Sequence, residues 1–215
     1  MTIKILLADD HRMVRQGLKL LLERQPHMKV VAEAEDGLAA VRLAKEHGPQ
    51  VAIIDVSMPG LNGIEAARKI LAHRPGTKVI GLSMYSDRRY VIEMLRSGAL
   101  GYILKESAFD ELVQAIATVM ENQTYLSGRI ADVIIKDYIK GVEGGRASAF
   151  TKLSNREREV LQQLAEGRST KQIAAQMNLS IKTVETYRKK IMDKLNLYSL
   201  AELTKYAIRE GITSL

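Results

Sequence analysis

Five times within its first 125 residues the chain repeats one alternation: a short β-branched run, then a longer stretch with helical periodicity. The runs are Ile3 to Ala8, Met28 to Ala34, Val51 to Asp55, Lys78 to Ser83 and Gly101 to Leu104. Helical patterns lie between and after them, near 12–25, 37–47, 63–73, 87–97 and 108–122. Such alternation builds βα units, whose crossovers make the strands parallel. Val51-Ala52-Ile53-Ile54 has no polar face, so this strand is expected to be covered by helices on both sides. The pattern predicts a doubly wound α/β domain with a five-stranded parallel sheet.

From Gln123 to Phe150 the pattern weakens. Ser127 to Lys140 can form a helix, whereas Gly141 to Ala149 is aperiodic and rich in small residues, as a linker would be. After Thr151 there is no strand signal and no proline, only helical segments near 155–166, 170–177, 181–195 and 199–210. The expected organisation is an α/β domain over 1–122, a linker with one helix over 123–150, and a small all-α four-helix domain over 151–215.

Charge separates the two halves. Residues 1–125 carry 16 Lys+Arg against 15 Asp+Glu, whereas residues 151–215 carry 12 against 7, so +5 of the net charge of +7 sits in the helical domain. Concentrated positive charge suggests a polyanionic partner, although a solvated basic face accounts for it as well. The chain has no cysteine, which excludes disulfides and cysteine-based zinc sites and makes the cytoplasm the expected compartment. The first apolar run ends at two acids after a few residues, too short for a signal sequence or a membrane span.

In doubly wound sheets, functional groups collect on the loops at the carboxyl ends of the strands. Here those ends are Asp9-Asp10, Asp55, Ser83 and Lys105. Three acids and a lysine from different βα units would meet on one rim, where the carboxylates repel unless a cation joins them. Oxygen donors of this kind suit Mg²⁺. Asp10 also reads as a helix N-cap, Tyr102 as a half-buried strand aromatic, and Pro59 and Gly63 as an ordinary turn in which glycine permits a tight backbone path. His11, His27, His47 and His73 lack ligand spacing and are assigned no site.

The combination of Asp9-Asp10, Asp55-Val56-Ser57-Met58-Pro59-Gly60-Leu61-Asn62-Gly63, Leu82-Ser83 and Gly101-Tyr102-Ile103-Leu104-Lys105 resembles the receiver domain of two-component response regulators over about residues 1–122. The resemblance implies a flavodoxin-like sheet of order 2-1-3-4-5. Asp55 is then the nucleophile toward a phosphohistidine on a sensor histidine kinase. Asp10, Asp55 and the Ser57 carbonyl ligate Mg²⁺ with help from Asp9 through water, and Ser83 and Lys105 bind the phosphoryl oxygens. Tyr102 becomes the switch aromatic, moving inward as Ser83 swings toward the phosphoryl group. Phosphoryl transfer asks mainly for charge neutralisation and positioning, which a divalent ion and a lysine supply.

In the helical domain, Ser154 and Glu157 have the spacing of a capping box. The segment Lys171 to Met177, the turn Asn178-Leu179-Ser180 and the basic segment Ile181 to Met192 have the proportions of a helix-turn-helix; a plain helical bundle fits the periodicity equally. Ile181, Val184, Ile191 and Leu195 are the expected buried stripe of the third helix. Leu153-Ser154-Asn155-Arg156-Glu157, Ile173-Ala174 and Thr183-Val184-Glu185-Thr186-Tyr187 resemble the LuxR-type helix-turn-helix over residues 151–213, with Tyr187 where many members have histidine. With the receiver this defines the NarL/FixJ class. In that class Glu185, Thr186 and Lys189 would face base edges and Lys182, Thr183, Arg188 and Lys190 phosphates, with pairing along the last helix. The implied partners are double-stranded DNA at promoter inverted repeats, a second copy of the chain after phosphorylation, and RNA polymerase, with no membrane.

Two rivals remain at this stage: a phosphatase with an aspartate nucleophile, for which no cap insertion or nucleotide-binding glycine motif is present, and a dimer scaffold that is never phosphorylated. Incubation with a small phosphodonor separates them: mass gain at Asp55, turnover of phosphate, or no reaction.

Overall fold

The computed structural model describes residues 2–140 and 152–213, apart from the side chains of 136–140. The expected linker Gly141 to Ala149 lies outside the described residues. The chain divides into two compact units, Met1–Gly144 and Gly145–Leu215.

In the first unit β1 (Ile3–Ala8), β2 (Met28–Ala34), β3 (Val51–Asp55), β4 (Lys78–Ser83), β5 (Gly101–Leu104) and β6 (Tyr125–Leu126) form a parallel sheet of order β2-β1-β3-β4-β5-β6. The intervening helices are α1 (Arg12–Glu23), α2 (Gly37–His47), α3 (Gly63–His73), α4 (Arg88–Arg96) and α5 (Ala108–Met120). Strand side chains alternate between faces. Ile5, Leu7, Ile53, Ile80 and Leu82 pack with Leu18 and Leu22 of α1 and with Leu112, Ile116 and Val119 of α5. Their neighbours Leu6, Ala52 and Ile54 are equally buried, which is why the central strands read as continuous apolar runs.

The sheet corrects the expected strand count from five to six. Asn122, with φ 61°, follows α5 in the left-handed region and turns the chain back along the sheet edge. Tyr125 N donates to Leu100 O at 2.9 Å and Ser127 N to Tyr102 O at 3.1 Å. Two residues are too few to display a period of two, so this strand leaves no sequence pattern. Helix α6 (Gly128–Lys140) then packs against α4 and β5, with Ile130 fully buried. The stretch expected as the start of a linker therefore closes the edge of the first unit.

The second unit consists of α7 (Asn155–Ala165), α8 (Thr170–Met177), α9 (Ile181–Leu195) and α10 (Leu200–Arg209). Ser154 with Glu157, Ser169 with Gln172 and Ser199 with Glu202 each form a capping box, and Ser180 caps α9 through Thr183 N. Asn178 and Asn196, both at φ 54°, end α8 and α9 in the left-handed conformation. Val160, Leu161, Leu164, Ile173, Val184, Ile191, Leu203 and Ala207 form the core. Ile181 is a correction: at 46% exposure it lies outside the buried stripe of α9, because it is the first residue of the helix and its side chain leans back past the domain edge. Half-buried Tyr187 packs against the core instead.

Candidate functional site

The carboxyl ends of β1, β3, β4 and β5 bring the expected rim residues together. Asp55 ends β3 and is 2% exposed, as is Asp9 just beyond β1. Lys105, in the 3₁₀ turn after β5, places its Nζ 2.8 Å from both Asp9 Oδ2 and Asp55 Oδ2. Ser57 N donates to Asp55 Oδ1 at 3.1 Å. The capping reading of Asp10 drops out, since His11 occupies the N-cap position of α1 and no side chain caps the helix. Asp10 Oδ1 instead lies 2.8 Å from His11 Nδ1.

Burial raises the pKa of the Asp55 carboxyl to about 6; Lys105 pulls it down and Asp9 pushes it further up. Burial works against the charge on Lys105, but Asp55 and Asp9 outweigh it and leave that pKa raised. Three carboxylates against one ammonium make an anionic pocket. Donor atoms of Asp9, Asp10, His11 and Asp55 lie within 4.8 Å of one another. Hard oxygen donors in this arrangement fit a divalent cation. His11, to which the sequence assigns no site, lies beside these acids.

Ser83 ends β4, fully buried, and its Oγ accepts from Tyr85 N at 3.0 Å. Tyr102 is wholly rather than half buried, and its hydroxyl donates to Tyr85 O at 3.0 Å. Both thus hold the backbone of one residue, whose ring stacks on Tyr90 at 5.6 Å. Gly63 has a specific cause: a Cβ there would stand 2.1 Å from the Asp55 carbonyl oxygen, while its N–H donates to Val56 O at 2.9 Å. The loop after the nucleophile candidate folds back against it, and only glycine fits. Behind Lys105, Ser127 Oγ donates to Glu111 Oε2 at 2.6 Å and accepts from Leu104 N at 3.4 Å.

In the second unit, α9 exposes Lys182, Glu185, Thr186, Lys189 and Lys190, while Thr183 and Arg188 are half-buried. Thr183 joins the N-cap, with Oγ1 2.8 Å from Ser180 Oγ, and Thr186 Oγ1 donates to Lys182 O at 2.8 Å. Glu185, Arg188, Lys189, Met192, Asp193 and Tyr198 line a shallow groove on this helix. Tyr198, 64% exposed, carries no pattern that sequence reasoning could have used.

Residues 5–117 match the family described as response regulator receiver domain, and residues 151–207 match the luxR family of bacterial regulatory proteins. The chain belongs to the NarL/FixJ class of response regulators. The oxygen regulatory protein NreC of Staphylococcus epidermidis (strain ATCC 12228) is 40% identical over 98% of this chain and 99% of its own, and NreC of Staphylococcus carnosus is 39% identical over the same shares. Among solved structures, the RcsB response regulator of Salmonella typhimurium is 30% identical with a TM-score of 0.60, covering 95% of this chain and 97% of that one. A structure described as an RcsB–DNA complex is 29% identical over 96% and 98%, also at 0.60. This response regulator is accordingly a DNA-binding transcription regulator of a two-component system. Among the described residues no helix is long and apolar enough to cross a membrane.

Proposed function

We propose that this response regulator receives its phosphoryl group on Asp55 from a sensor histidine kinase and thereby changes how its helix-turn-helix binds promoter DNA. The single observation that carries the reading is Lys105 Nζ at 2.8 Å from both Asp55 and Asp9 inside an anionic pocket. In the transfer the phosphorus–nitrogen bond of the phosphohistidine breaks as a phosphorus–oxygen bond forms at an Asp55 carboxylate oxygen. Asp10, Asp55, the Ser57 carbonyl and, through water, Asp9 would hold Mg²⁺, which supplies charge neutralisation for the incoming phosphoryl oxygens. Lys105 then leaves its carboxylate partners for a phosphoryl oxygen, and Ser83 exchanges Tyr85 N for another. Tyr102, already inward, loses its tie to Tyr85 O as that backbone moves.

On α9, Glu185, Thr186 and Lys189 read base edges, while Lys182, Thr183, Arg188 and Lys190 hold phosphates. A phosphorylated homodimer on inverted repeats matches the two-fold symmetry of such sites, and RNA polymerase is the partner through which transcription would change. The protein acts in the cytoplasm, and its only chemistry is its own phosphorylation and dephosphorylation.

The test is incubation with a small phosphodonor and Mg²⁺, followed by intact-mass and peptide mapping. One phosphoryl group on Asp55, absent from Asp55→Asn, is expected; label at the same rate in Asp55→Asn removes the assignment.

A further inference from the structure

Leu104, the residue before Lys105, is held from both sides of β5. On one side it pairs with Ser83 of β4. On the other, the ladder to β6 ends in an unusual way. Tyr125 N donates to Leu100 O and Ser127 N to Tyr102 O, but the Ser127 carbonyl accepts from Ile130 N and Ala131 N and so begins α6. The next donor on that edge, Leu104 N, meets the Ser127 hydroxyl instead, at 3.4 Å. Leu104 is 4% and Ser127 2% exposed, so this N–H depends on a protein acceptor. Ser127 Oγ in turn donates to Glu111 Oε2 at 2.6 Å, and the Tyr125 hydroxyl donates to the same oxygen at 3.2 Å. An ionised carboxylate only accepts. The short bond to Glu111 therefore commits the Ser127 proton and leaves the oxygen lone pairs for Leu104 N. Ser107 Oγ closes the network, 3.2 Å from Leu104 O and 3.5 Å from Ser127 Oγ.

We propose that Ser127, oriented by Glu111, is a positioning residue for Lys105 in the transfer of a phosphoryl group to Asp55. The inference rests on the phosphoryl transfer proposed above. Lys105 opens a 3₁₀ turn directly after Leu104, and from there its Nζ stands 2.8 Å from both Asp9 Oδ2 and Asp55 Oδ2. The bond from Ala108 N to Lys105 O holds the far end of that turn, and the Leu104 peptide groups hold the near end. Without the Ser127 hydroxyl the buried Leu104 N–H loses its acceptor. The end of the strand then shifts to find another, and the lysine head shifts with it. Neither Ser127 nor Glu111 touches a reacting atom; both act through Leu104. The start of α6 and the aim of Lys105 thus share one hydrogen-bond network, so an ordered head of α6 is a condition of the full phosphorylation rate.

The test is the rate at which acetyl phosphate with Mg²⁺ phosphorylates the full chain, followed by intact mass. Ser127→Ala is expected to slow it roughly tenfold, since misplacing a catalytic group by about 1 Å costs up to about a hundredfold, and Ser127→Thr, which keeps the hydroxyl, should stay within about twofold of the wild type. In a Lys105→Ala background, followed over hours, Ser127→Ala should slow the reaction no further, because the lysine carries its effect. Glu111→Ala frees the hydroxyl to turn and should show the same pattern with a smaller loss; it carries the prediction if Ser127→Ala does not fold. Ile130→Ala loosens the seat of α6 away from this network, so it should lower the urea midpoint and leave the rate as it was. Unchanged rates in Ser127→Ala and Glu111→Ala overturn the proposal. So does equal slowing by Ser127→Ala in the Lys105→Ala background, or equal slowing in Ser127→Thr or Ile130→Ala, each of which marks a merely structural role. A wild-type chain that takes up no phosphoryl group removes the phosphoryl transfer itself, and this inference with it.

Discussion

Asp55 sits where burial and Asp9 oppose its charge and Lys105 supports it, with burial the largest effect. Its folded pKa, raised from the ordinary 3.8 to about 6, makes the folded state bind a proton more tightly than the unfolded chain between those values. The stabilising contribution of the neutral carboxyl is therefore complete below about pH 4 and is lost as pH rises through about 6. In metal-free protein, Asp55→Asn should remove this dependence, so that the variant gains stability relative to the wild type as pH rises from 4 to 6. Urea midpoints across that range check it; parallel curves would mean that Asp55 ionises as an ordinary carboxyl. On α9, Lys189→Ala should lose about 1–3 kcal/mol mainly on the preferred duplex, whereas Lys190→Ala should weaken all duplexes alike and lower the salt slope by about one. Equal losses for Lys189→Ala on specific and scrambled duplexes contradict base reading. Most rim residues were legible because each ends an apolar strand, where a polar residue stands out. The contact of His11 with Asp10 was not, since it is a matter of ring orientation. Nor was the depth of Tyr102, which follows from how β5 is covered by β6 and α6.

At the scale of the element, the loop from Asp55 to Gly63 is held by packing that the sequence shows only as a turn. A Cβ at position 63 meets the Asp55 carbonyl oxygen and the Val56 Cα, both backbone atoms that cannot swing away. Gly63→Ala should therefore cost about 2–4 kcal/mol in urea unfolding and slow phosphorylation at Asp55, whereas Gly76→Ala, which meets nothing within 4 Å, should do neither. A full-rate Gly63→Ala protein would mean that the loop can relax without disturbing Asp55. Helices and strands were well forecast wherever their period had room to repeat: α8 and α9 fall where the pattern put them. The failures are short or terminal. β6 has two residues, and Ile181, at the first turn of α9, is apolar yet 46% exposed.

At the scale of the whole molecule, phosphorylation is expected to shift a pre-existing balance toward a form that pairs on DNA. Sedimentation and duplex titration before and after phosphodonor treatment should show larger particles and tighter binding only after it, and neither change in Asp55→Asn. Unaltered mass and affinity in the phosphorylated wild type would mean that the receiver does not control the helix-turn-helix. The division into two units was visible in the change of pattern after residue 122, but their border was not, because β6 and α6 attach through backbone bonds to Leu100 and Tyr102 and through Ser127. That attachment decides where the protein can be cut and recombined. A receiver ended at residue 122 leaves the β5 edge without a partner, an open template for pairing between copies, and strips Ile130 from its seat. One ended at residue 140 keeps that edge closed. The shorter fragment should melt lower and self-associate, the longer one should stay monomeric, and a chimaera that exchanges DNA-binding domains should be joined beyond α6.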